Sequence, residues 1–143
     1  MRKLLLLPIL LLGFNALLNA QTDVSLSPFG LLVPALVFSV EGPIGNDVGL
    51  EGYLLAAEGG FGLYANGSYY LNSKRGHDGF KIGFFVGGFT DGGVGPGFSF
   101  GYKTVSEKGL LFDVGLGLGR SLTGEQFPLP YAKLNFGYRF QKE

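Results

Sequence analysis

Between residues 80 and 121 the chain alternates with a period of two, and the two halves of the alternation are unequal. Phe112, Val114, Leu116 and Leu118 interleave with Asp113, Gly115, Gly117, Gly119 and Ser121. Val94, Pro96, Phe98, Phe100 and Tyr102 interleave with Gly95, Gly97, Ser99, Gly101 and Lys103, and Phe80, Ile82, Phe84 and Val86 with Lys81, Gly83, Phe85 and Gly87. A two-residue period places the two sets on opposite faces of a strand. In a water-soluble sheet the polar set would face solvent and the large set would fill the core. Here the polar set is mostly glycine and serine with isolated charges, which makes a poor solvated surface. The pattern fits a small closed barrel turned the other way, with large residues against lipid and glycine, serine and a few charges inside.

The rest of the chain repeats this organisation. Eight strands are expected at about 24–32, 35–42, 48–57, 60–71, 80–90, 93–104, 109–121 and 131–140. Pro34, Gly45-Asn46-Asp47, Glu58-Gly59, Asn72 to Gly79, Asp91-Gly92, Ser106-Glu107-Lys108 and Thr123 to Pro130 separate them. Gly- and Asn-rich turns supply the positive φ that tight hairpins require. Most segments match the roughly 9–11 residues that a tilted strand needs to cross a bilayer. The predicted fold is therefore all-β, a closed antiparallel eight-stranded up-and-down transmembrane barrel. Closure is a physical requirement, because a bilayer offers no water to an open sheet edge.

Parity assigns Glu41, Glu51, Lys81, Lys103, Asp113, Lys133 and Arg139 to the interior, together with Tyr53, Tyr64 and Phe85. Eight strands enclose only enough room for side chains. Three acids and four bases in that space are expected to form a bonded network, because unpaired charges there would be costly. Tyr69, Phe80, Tyr102, Phe112 and Tyr138 fall outward near the strand ends on one side, the expected position of an aromatic girdle at a membrane–water interface.

The N-terminus has the layout of a cleaved signal peptide over residues 1–20. Arg2 and Lys3 precede the apolar run Leu4 to Leu12, and Ala20 offers a small residue before Gln21. Residues 21–143 then form one barrel domain with nine basic and eleven acidic side chains, a formal charge of −2. No basic run suggests nucleic acid. The chain has no cysteine, which excludes a lipoprotein anchor and a disulfide framework.

The strands "GPGFSFGYK" and "LLFDVGLGLG" and the C-terminal "LNFGYRF" resemble those of the small outer-membrane β-barrel proteins of Gram-negative bacteria, the OmpX and OmpA-barrel type. The resemblance implies a location in the cell outer membrane, contact with its lipid and lipopolysaccharide, and insertion by the barrel-assembly machinery. It also implies that Phe136, Tyr138 and Phe140 form the apolar positions of the assembly signal. Two features depart from the pattern: Gln141-Lys142-Glu143 follow the last aromatic, and the loops are short.

Catalytic chemistry has little to stand on. His77, the sole histidine, lies in "SKRGHDG" beside Asp78, and is expected in a solvated turn with no serine or cysteine nucleophile placed to use it. One histidine and no cysteine give no support for a metal centre, and no cofactor is expected. "GLGLG" and "GGVGPG" do not lead into a helix, so a phosphate-binding loop is not expected. Arg120 lies at a rim, where it could snorkel toward headgroups. The expectation is a non-enzymatic membrane barrel with a structural or interaction role. The rivals are a small pore or transporter, a lipid-modifying barrel enzyme, and a soluble barrel holding an apolar ligand.

Overall fold

A computed structural model describes residues 21–28, 35–90, 92–123 and 128–141. The signal-peptide expectation for residues 1–20 lies outside them. The described chain is all-β. Its strands are β1 (Thr22–Leu26), β2 (Ala35–Pro43), β3 (Val48–Ala57), β4 (Gly60–Leu71), β5 (Gly79–Phe89), β6 (Gly93–Val105), β7 (Leu110–Gly119) and β8 (Leu129–Phe140). Each pairs antiparallel with the next, and β1 pairs with β8 to close the barrel. The closing register runs from Thr22 opposite Phe140 to Leu26 opposite Phe136.

Seven strands, β2 to β8, lie within two residues of their predicted bounds at both ends. The exception is β1, predicted at 24–32: it starts at Thr22 and ends at Leu26, and residues 29–32 lie outside the description. The earlier start brings Asp23 into the sheet opposite both Glu41 and Arg139.

One end of the barrel carries Gln21, Gln141 and the β2–β3, β4–β5 and β6–β7 turns; it is called here the terminal end. The other, distal end carries the β3–β4 and β5–β6 turns. The tightest of these is Glu58-Gly59, a two-residue hairpin in which Gly59 takes φ +100°. That is a conformation a side chain would resist.

The interior is divided along the barrel axis. The distal part is an aromatic plug in which Tyr53, Tyr64, Phe85 and Tyr131 pack with Val37 and Leu129. Phe85 stacks on Tyr131 at 5.1 Å between ring centroids. Phe85 also explains part of the glycine content of β6 and β7. A Cβ on Gly97 would lie 2.3 Å from its ring, and one on Gly117 or Gly119 would lie 3.2 or 3.1 Å away. The glycines that thin this wall are thus filled from within by one phenylalanine. Toward the terminal end the lining becomes polar and then charged.

Candidate functional site: the charged lumen and its stopper

Strand parity decides which side chains enter the lumen, and it sends every charged residue of the strands there. Asp23, Glu41, Glu51, Lys81, Lys103, Asp113, Lys133 and Arg139 are all buried. The addition of Asp23, which precedes the predicted start of β1 at 24 although the strand begins at Thr22, makes the set four acids and four bases. The formal charge of the interior is zero.

Of the acids only Asp23 bonds a base directly opposite it in the sheet, Arg139 on β8. Asp23, Glu41 and Glu51 lie side by side on β1, β2 and β3, a row of like charges that would repel in isolation. The compensating bases come from the facing wall. Lys103 on β6 bonds Asp23 at 2.9 Å and also Glu41. Lys133 on β8 bonds Glu51, and reaches Asp113 at 2.6 Å. Lys81 on β5 bonds the same Asp113 oxygen, Oδ2, at 2.8 Å. The lysines therefore act as struts across the lumen, and the cluster exists only when the barrel is closed. Glycine makes the room: a Cβ on Gly101 would stand 3.3 Å from Lys81 Cε, and one on Gly49 would lie 2.3 Å from Glu41 Oε1.

Neutral groups complete the shell. The Tyr70 hydroxyl donates to Glu41, and its ring lies 5.2 Å from Lys103 Nζ and 5.7 Å from Lys81 Nζ, close enough for cation–π attraction. Tyr131 donates to Glu51 Oε2 at 3.3 Å. Asn135 donates to Ser25 and Ser39. Asp113 Oδ1 and Asn135 Oδ1, on residues directly opposite each other, are the two buried side-chain atoms among the described residues with no hydrogen-bond partner.

The terminal end is stoppered by the β4–β5 turn, which folds inward. Arg139 grips Asp23 through Nε at 2.6 Å and through a second nitrogen at 2.7 Å. The same guanidinium donates to three successive carbonyls of the turn, those of Arg75, Gly76 and His77. His77 corrects the sequence expectation: it is buried, not solvated. Its Nε2 lies 3.1 and 3.0 Å from the carbonyl oxygens of Gly45 and Val48, and its ring stands edge-on to Tyr70. The turn reaches this position through positive φ at Asn72 (55°) and His77 (49°). A turn rich in Ser, Lys, Arg and Gly looks solvated in sequence, and contacts with residues distant in the chain, the Arg139 fork and the Gly45 and Val48 carbonyls, draw it in.

Chemically the cluster is charge-balanced, with Asp113 Oδ1 its one unpartnered carboxylate oxygen among the described residues. Glu41, Glu51 and Asp113 bring carboxylate oxygens within 4.8 Å of one another, a spacing that could ligate a cation, but each already bonds a lysine ammonium group: Glu41 bonds Lys103, Glu51 bonds Lys133, and Asp113 bonds Lys81 and Lys133. His77 is engaged by backbone and faces no hydroxyl or thiol nucleophile among its described contacts.

Outside, the residues expected in the girdle lie near the terminal end. Tyr69, Phe80, Tyr102 and Tyr138 are exposed, and Phe112 is half-buried against Phe136 at 5.0 Å. Phe136, Tyr138 and Phe140 occupy the outer face of β8, next to the closing seam. Arg120 is exposed at the distal rim. Comparison with family models, with curated proteins and with solved structures returns no match, so the barrel and its interior carry the functional argument alone.

Proposed function

We propose that this chain is an integral outer-membrane protein whose barrel spans the bilayer, with a structural or interaction role and no catalysis. One observation carries the proposal. Among the described residues every charged side chain in a strand is buried, and every exposed charge lies in a turn or at a rim. On the outer wall Phe98 is 73% exposed and Leu118 66%, while inside Glu51 and Lys103 are 1% exposed. Water would penalise so large a contiguous apolar surface, whereas hydrocarbon would not. The membrane-spanning arrangement also explains the strand lengths of 9 to 13 residues for β2 to β8.

The outer membrane is supported by the leader-like N-terminus and by the resemblance to OmpX and OmpA-type barrels. Within that proposal Phe136, Tyr138 and Phe140 present the assembly signal to the insertion machinery, and Arg120 meets lipopolysaccharide headgroups at the distal rim. The aromatic plug, the ion cluster and the stopper lie in series along the lumen, which argues against a pore. Cell fractionation tests the location: the protein is expected in the outer-membrane fraction and released by detergent alone. Recovery from the soluble periplasm would favour a soluble ligand-binding barrel. Planar-bilayer recording tests the lumen: no stable conductance is expected, and steady ohmic channels across preparations would establish a pore.

A further inference from the structure

The outer wall is bulky around most of its circumference, but not where β3, β4 and β5 approach the distal rim. There the outward positions Gly52 and Ala65 are direct cross-strand neighbours, and Gly88, opposite Leu63, has its Cβ position against the β6 backbone at Gly93 and Val94. These small residues floor a cleft of about 700 Å³, within the roughly 300–1,000 Å³ typical of small-molecule sites. Phe61, Leu63, Val86 and Val94 form its flanks. Beside the Gly87–Gly88 backbone it reaches Tyr64, part of the aromatic plug, and Phe89, which packs against that plug.

The chemistry of the lining restricts the occupant. No described lining residue is charged. The two threonine hydroxyls, Thr90 and Thr123, sit at the rim end and accept hydrogen bonds from the backbone N–H groups of Phe61 and Val94, while the Tyr64 hydroxyl donates to the Pro130 carbonyl. A charged peptide or a headgroup would find no counter-charge there. The wall of a second copy of the barrel is convex and cannot enter a concave cleft. The cleft is also continuous with the apolar outer wall, so whatever lies against that wall reaches it without crossing a polar barrier.

We infer that the cleft seats one acyl chain of a membrane lipid, with the hydrocarbon along Gly52 and Ala65 and the ester end toward Thr90 and Thr123. The inference rests on the membrane-spanning proposal above. Occupancy would give the protein a fixed lipid on one side of the barrel, beyond general solvation by the bilayer.

The test uses purified protein in vesicles of phosphatidylethanolamine and phosphatidylglycerol containing a small fraction of phosphatidylethanolamine with a diazirine on one acyl chain. After irradiation, labelled residues are mapped by mass spectrometry. Residues 61–65 and 86–94 are expected to carry about tenfold more label than the outward positions of 98–102 and 114–118, equivalent to about 1.4 kcal/mol of preference. Gly52→Phe should abolish that excess, because a side chain there fills the cleft from its floor. A Cβ at Gly52 meets nothing within 4 Å, so the variant is expected to retain the heat-dependent gel mobility of a folded barrel. Ala65→Phe provides a second, independent filling. Even labelling of all outward positions would overturn the cleft site and leave the membrane proposal standing. Absence of label from every outward position would overturn the membrane proposal itself. Label at the other outward positions but none in the cleft, together with a dimer mass in detergent, would show that a second copy, not lipid, occupies the cleft.

Discussion

Replacing Lys133 with methionine keeps an unbranched side chain, one heavy atom shorter, and removes its charge, which tests the electrostatic role of one strut. The Lys133 side chain is 0% exposed and its partner Glu51 1%. In the variant Asp113 keeps Lys81 at 2.8 Å, but Glu51 keeps only the Tyr131 hydroxyl at 3.3 Å. The interior then holds four acids and three bases, with the uncompensated charge on Glu51. Breaking a buried pair by removing one partner costs about 3–5 kcal/mol, mostly as the penalty on the charge left behind. By contrast Arg75 and Glu107 form an ion pair at the terminal rim with side chains 45% and 87% exposed, and pairs of that kind contribute about 0–1 kcal/mol. Urea unfolding in lipid vesicles, followed by tyrosine fluorescence and by gel mobility, measures both. Lys133→Met is expected to lose several kcal/mol and Glu107→Ala almost nothing. The double variant Lys133→Met/Glu51→Gln restores three acids against three bases and should recover most of the loss. A single variant within about 1 kcal/mol of the parent, or a double variant no better than the single, would refute the reasoning.

The remaining predictions address the glycines, the stopper and assembly. Gly97→Ala puts a methyl 2.3 Å from Phe85 and 2.6 Å from the Gly119 backbone and should cost about 1–3 kcal/mol by overpacking; Gly52→Ala, with nothing in reach, should be neutral or slightly stabilising in the same urea assay. Arg139→Met releases the carbonyls of Arg75, Gly76 and His77 while Lys103 still compensates Asp23, so limited trypsin digestion should cut faster after Lys74 and Arg75; an unchanged rate would mean that the turn is held by other contacts. Phe140→Asp should leave export intact and block membrane integration, measured as loss of the heat-shifted band from the membrane fraction; normal integration would remove Phe140 from the assembly signal.

The architecture was largely legible because side-chain parity and glycine placement both report the same face. β3 and β4 reproduce their predicted bounds, 48–57 and 60–71, since Glu58-Gly59 marks the hairpin without ambiguity. β1 was harder: its five residues, TDVSL, carry only two large apolar side chains, so Asp23 looked like a residue before the strand. Parity also states which side a residue faces and not whom it meets. Glu41 and Glu51 are register neighbours, yet their ammonium partners come from residues 62 and 82 positions away. Those pairings depend on how the closed barrel brings opposite walls together, which no local pattern encodes. His77 illustrates the same limit, because its ring meets Gly45, Val48 and Tyr70 and its carbonyl meets Arg139, none of them local in sequence. The lateral cleft was invisible for a different reason: Gly52, Ala65 and Gly88 are each unremarkable alone and become a surface feature only through the β3–β4–β5 register.

The central claim is that the apolar outer wall lies in hydrocarbon, and site-directed spin labelling tests it most directly. The chain contains no cysteine, so Phe100→Cys, Leu116→Cys and Glu107→Cys each provide a single attachment point without further engineering. In reconstituted vesicles, nitroxides at 100 and 116 should be readily relaxed by dissolved oxygen and shielded from a water-soluble nickel chelate, while the label at 107 shows the reverse. Labels at 100 and 116 that the nickel reagent reaches as freely as the one at 107 would contradict the account.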